Sequence, residues 1–151
     1  MDDLNDKKAR FFAQRMHTPD DAAHAASREA LRQASRALIP LHRALIEATR
    51  SDYSFAYGPV DQPTEVFRLV TEHPFFAGLK PMTTLIVEID ELARRDFEIA
   101  EATAIGDRLD QFFGPSADET FASRYIPILQ RDVEVAIAHA EVRKAASALK
   151  T

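Results

Sequence analysis

The chain has 151 residues, 46% hydrophobic and 28% charged, with a net charge of −5. It has no cysteine, which excludes disulfides, thiol nucleophiles, iron–sulfur clusters and cysteine zinc sites. Four glycines against eight prolines leave little material for hairpin turns or phosphate-cradling loops, and the length suits one domain, 1–151, with its own core.

The first residues, MDDLNDKKAR, contain no apolar run of the kind that opens a secretory signal, so a cytoplasmic location is expected. Arginine outnumbers lysine fourteen to five, a composition that suggests a GC-rich bacterial source. A peripheral helix is predicted over about 3–16, within 1–17. Thr18-Pro19-Asp20 reads as an N-cap followed by proline at the first helical position. Over about 20–52, Leu31, Ala34, Leu38, Leu41, Leu45 and Ala48 recur at alternating spacings of three and four, which is a heptad seam. Pro40 within it is expected to kink the helix by removing one backbone hydrogen bond. Arg32, Arg36, Arg43 and Arg50 fall within about 40° of one another at about 100° per residue and form a basic ridge.

A connector from Tyr53 to Pro63 carries Tyr53, Phe55 and Tyr57 between small residues, and Phe67, Phe75 and Phe76 follow. These rings are expected to plug one end of the fold, or else to wall a pocket or a docking patch. Pro63 starts a short helix over about 63–78, which His73-Pro74 interrupts and Gly78 ends. Lys80-Pro81 opens a segment through Met82, Leu85, Ile89 and Leu92, and Ile99, Ala102, Gly106, Leu109 and Phe113 continue the pattern. This stretch either runs unbroken to about 113 or breaks near Arg94-Asp96. After the stop signal Gly114-Pro115-Ser116 comes the most regular segment, about 117–149. There Phe121, Ile128, Val135, Val142 and Leu149 recur every seven residues, with Pro127 bending the first turns. The whole reads as an all-α bundle of four to six antiparallel helices, two or three of them long.

Polar residues on the core side of the last helix are the informative anomaly. Tyr125, Asp132 and His139 share one flank of the apolar stripe. A buried carboxylate without a partner is costly, so each needs a facing group. His42, flanking the Leu38–Leu41 seam, is the best candidate, with Thr49 two turns further on. The four residues His42, Tyr125, Asp132 and His139 form either a polar layer that fixes helix register or a ligand or acid–base pocket; partial exposure at a bundle end is a third possibility.

Residues 61–119 hold thirteen acids against five bases, opposite in character to the arginine ridge. The ridge is either a solvated face or a contact for an acidic partner, including a second copy. Net negative charge argues against nucleic acid, and the longest apolar stretch, Met82–Ile89, is far short of the ~20 residues that span a membrane. There is no Glu-x-x-His, His-x-x-x-His, P-loop or Gly-x-Ser-x-Gly, so no catalytic residue, metal or cofactor is expected. His17 and His24, flanking Asp20 and Asp21, do not share one helical face. Glu98/Glu101 and Asp107/Asp110 read as a solvated face.

Pro40-Leu41-His42-Arg43-Ala44-Leu45 with Tyr57-Gly58-Pro59-Val60, and Glu72-His73-Pro74-Phe75-Phe76-Ala77-Gly78-Leu79-Lys80-Pro81 with Leu85-Ile86-Val87-Glu88-Ile89-Asp90-Glu91, carry a resemblance. Over roughly residues 38–93 the chain resembles a group of small bacterial helical proteins with no assigned activity. A tryptophan commonly stands there in place of Gly78. The resemblance draws attention to His42, Asp90, Phe75 and Phe76 and implies no catalytic role.

The expected function is therefore binding, to another protein or to a second copy as a homodimer. Arg32, Arg36, Arg43, Arg50, Tyr57, Phe75 and Phe76 are the candidate contact residues. The alternative is a small-ligand or acid–base site at His42, Tyr125, Asp132 and His139.

Overall fold

A computed structural model describes residues 19–115 and 119–150, so the helix expected over 3–16 lies outside the described residues, as does His17. Six α-helices and no strand occur among the described residues: α1 (Pro19–Tyr57), α2 (Pro63–Glu72), α3 (Lys80–Arg94), α4 (Ile99–Phe113), α5 (Glu119–Arg131) and α6 (Val133–Leu149). A 3₁₀ segment, Pro74–Leu79, joins α2 to α3. No described helix is long and apolar enough to cross a membrane.

The heptad seam makes α1 the centre of the fold. Leu31, Ala34, Leu38, Leu41 and Leu45 are buried, and each buried leucine contributes roughly 1.5–3 kcal/mol. α6 and α3 pack along α1, and α4 packs on α6. Ser35 Oγ donates to Asp90 Oδ1 at 2.7 Å, a polar tie that fixes α1 against α3. α1 continues through Pro40, which is exposed, so the carbonyl that loses its helical donor is on the solvent side. It also runs past the expected end near 52. Tyr53, Phe55 and Tyr57 belong to its last turns and not to a connector. Gly58 ends the helix: among the described residues only it adopts a positive φ (104°), with its N–H donated to Ser54 O at 2.9 Å.

The stretch from Lys80 to Phe113 breaks after Arg94. The Arg28 guanidinium donates to the carbonyls of Ala93 and of Arg95 (3.0 Å), and its Cζ lies 5.0 Å above the Phe97 ring. These bonds satisfy C-terminal carbonyls that a continuing helix would have used. Glu98 and Glu101 then restart the chain with a reciprocal capping box. α4 lies so close to α6 that a Cβ on Gly106 would sit 3.1 Å from Leu149 Cβ and 3.3 Å from Ala146 O.

The final segment is not one helix. Asp132 (φ −114°, ψ 113°) breaks it, and its side chain accepts the Val135 N–H at 3.2 Å as the N-cap of α6. Pro127, expected to mark the bend, sits inside α5. A seven-residue repeat keeps its phase whether the helix is whole or folded, so periodicity cannot register a break that one capping aspartate makes. Of the two or three long helices expected, only α1, with 39 residues, forms in one piece among the described residues.

Candidate functional site

The break at Asp132 also dissolves the expected four-residue cluster. Tyr125 and His139 would be about 21 Å apart along a straight helix. Instead the Tyr125 hydroxyl and His139 Nδ1 share a hydrogen bond of 2.6 Å, because α5 turns back on α6. Burial raises the Tyr125 hydroxyl well above its ordinary pKa of 10.0. Burial, and to a lesser degree the nearby Arg143 charge, lowers His139 below 6.5. Asp132 is not on the core stripe, because its carboxylate is spent on capping α6. His42 does not face the pair either. Its Nε2 meets Thr83 Oγ1 on α3 at 2.8 Å, and burial lowers its pKa. The structure brings together two of the four residues, in a polar contact between α5 and α6.

The more open chemistry lies beneath α5, on the side facing α1 and the 3₁₀ segment. α5 contacts α6 and, less extensively, α4. Arg131 on α5 forms an ion pair with Asp52 on α1, and Arg124 Nη1 donates to Phe75 O at 2.9 Å. Between these ties and the body is a pocket of about 510 Å³. Leu45, Leu79, Phe75, Phe112, Phe121 and Ile128 are among its apolar walls. Phe112 and Phe121 meet edge to face at 5.3 Å, and Phe121 stacks on Tyr125 at 5.2 Å.

A small number of polar groups interrupt those walls. Thr49 is 9% exposed; no described residue hydrogen-bonds its hydroxyl, which keeps some exposure, since no fully buried side-chain polar atom among the described residues lacks a partner. Gln111 and Arg124 also line the pocket, and no described carboxylate pairs with Arg124. Gly78 is in the floor with an ordinary backbone, and a Cβ there would approach Phe121 Cδ2 at 3.9 Å. Sequence reasoning named Thr49 and Tyr125 for a different cluster and missed Gln111, Arg124 and the pocket role of Gly78. Arg124 stands three residues after Phe121, and that spacing alone placed it on the aromatic face.

The remaining candidates are distributed elsewhere. Arg32 and Arg36 reach Glu29 at 4.0 and 3.7 Å, and Arg50 reaches Glu47 at 4.0 Å, so much of the ridge is paired within α1. Arg36 and Arg43 also line a groove of about 850 Å³ between α1 and α6. Tyr53 gathers the aromatics at the end of α1, with Phe75 and Phe76 each 5.9 Å away and Tyr57 at 4.9 Å. Phe76 is buried as a plug, Phe75 reaches the pocket wall, and Phe55 is 96% exposed. The acidic pairs are engaged: Asp110 binds Arg143 at 2.8 Å, Asp107 pairs with Lys150 at 3.3 Å, and Glu101 pairs with Arg95 at 3.1 Å. Among the described residues no group of three or more histidine or acidic side chains is arranged to hold a metal. No family model, curated protein or solved structure matches the chain.

Proposed function

We propose that the protein binds a small, largely apolar molecule in the pocket beneath α5. The observation that carries this reading is the aromatic-walled apolar space itself, interrupted by only a few polar groups, Thr49, Gln111 and Arg124 among them. A concave, mostly apolar space with a small number of polar groups in its lining is the usual form of a small-molecule site. A volume of about 510 Å³ lies inside the range of roughly 300–1,000 Å³ typical of small-molecule sites. We read the helices as an antiparallel bundle of a bacterial cytoplasmic protein, with α5 as the cover of the site; the short connections from α3 to α4 and from α5 to α6 favour this.

The test fills the pocket. Gly78→Leu projects a side chain toward Phe121 without backbone strain. Calorimetric titration with naphthalenemethanol, indole and decanol is expected to show binding to the natural protein and none to Gly78→Leu, with the helical circular dichroism unchanged. If none of the three probes binds the natural protein, or if binding survives the filled pocket, the reading fails.

Self-association is the second reading, favoured by the groove between α1 and α6. Val133 and Ile137 are 73% and 64% exposed on α6. The groove is lined by Arg43 and Lys144 together with Glu134 and Glu141, none of them ion-paired among the described residues. Such a balanced set is self-complementary under a twofold axis. Sedimentation at micromolar to millimolar concentration should then show a dimer that Ile137→Glu dissociates. A monomer throughout that range refutes it.

A further inference from the structure

Building on the small-ligand reading above, we infer that the pocket takes an apolar monocarboxylate whose anionic group is held by Arg124. The chain is acidic overall, with a net charge of −5, yet among the described residues no aspartate or glutamate lines the pocket and Arg124 is the single charged residue in its wall. An apolar chamber with one unneutralised cation selects a ligand of opposite charge.

The guanidinium is also held in place before any ligand arrives. Nη1 donates to Phe75 O at 2.9 Å, and Cζ lies 5.7 Å above the Phe75 ring. A guanidinium carries five N–H donors in a planar fork, and the bond to Phe75 occupies one nitrogen. The remaining donors match the two oxygens of a carboxylate, and holding the fork in advance lowers the entropy cost of binding. Arg124 is exposed, which puts the charged head at the pocket mouth and keeps it hydrated. The hydrocarbon body then lies among Phe112, Phe121, Leu45 and Ile128. Gln111, exposed at the rim, adds an amide donor within the lining. Tyr125 does not compete for the head, because its hydroxyl is engaged with His139.

The experiment compares two probes with one body, naphthoate and naphthalenemethanol, by calorimetry on the natural protein and on Arg124→Gln and Arg124→Lys. Charge-assisted bonds are about twice as strong as neutral ones, so naphthoate is expected to bind about tenfold tighter than the alcohol. That preference should shrink as salt is raised, because the head sits at an exposed mouth. Arg124→Gln should remove the preference, read as the ratio of the two affinities; Arg124→Lys should restore only part of it, since an ammonium lacks the fork. Equal binding of the two probes by the natural protein, or a preference that survives Arg124→Gln, overturns the carboxylate inference and leaves the pocket reading standing. If neither probe binds, both fall. Arg124 is on the surface, so circular dichroism of the variants should match the natural protein.

Discussion

The seam along α1 and the cover that α5 lays over the same body use similar residues and differ in how completely they close. On the seam Leu31, Leu38, Leu41, Met82, Leu85, Ile89, Val135 and Val142 are all fully buried, and the groove between α1 and α6 lies outside them. Under α5 the apolar side chains are aromatic and sparse, with Phe121 only half-buried, and the rings meet edge to face around a pocket. Heptad leucines interdigitate because their shapes repeat with the helix. Phenylalanines in perpendicular contact fill space less evenly, and the remaining volume is the candidate site. Stability is therefore concentrated in one region and binding capacity in the other.

The largest expected effect tests that division directly. Leu38→Ala should open a cavity in a closed seam and cost about 2–5 kcal/mol in urea unfolding. Ile128→Ala removes a side chain that already faces open volume, so little new cavity results and the loss should stay below about 2 kcal/mol. Equal losses would mean that the cover is as tightly packed as the seam, and the comparison would break.

A middle-sized effect concerns the joint between the regions. Asp132→Ala removes the N-cap of α6 and should cost about 1 kcal/mol, within the usual range of about 0.5–2. Asp132→Asn retains the acceptor and should restore most of it. Hydrogen exchange sharpens the point. Without the cap the turn that brings Tyr125 to His139 is loosened, so amides of α5 should exchange faster while those of α3 stay protected. Uniform acceleration would show that Asp132 supports the whole fold equally.

How far the sequence disclosed all this follows the same division. The seam of α1 was legible because burial on a long helix imprints a period, and Leu31 to Leu45 carry it without interruption. The starts at Pro63 and Lys80 were legible because proline fixes the backbone locally. The break at Asp132 was not, since its signal is one side chain that serves equally well as a core acid or as a cap. The restart at Glu98 depends on Arg28, about 65 residues away from the carbonyls it caps, and no local pattern records such a contact. His42 was drawn to the site by its place beside the seam, but α3 supplied Thr83 as a nearer partner. The pocket was half legible: its aromatics stood out, whereas Thr49 and Arg124 gain meaning only when α5 lies over α1.

The smallest expected effect is in the pH dependence, where the two regions each contribute one histidine. His42 on the seam side and His139 under α5 both have folded pKa values lowered from 6.5, chiefly by burial. A lowered value means that the unfolded chain takes up protons first as pH falls, so protonation favours unfolding. Their contribution is fully present above 6.5 and is lost as pH falls through the folded values. Urea unfolding at about pH 7.5 and about pH 5 should therefore show lower stability at the acidic end from these two groups. Single replacements separate the regions. His139→Gln should flatten the part of the decline that is read from α5 amide exchange, because a neutral His139 can accept the Tyr125 hydroxyl at Nδ1 and the imidazolium cannot. His42→Gln should leave α5 exchange unchanged and alter only global unfolding. A decline in α5 that follows His42 would mean that cover and seam unfold as one unit, and the closure difference between them would have no energetic counterpart.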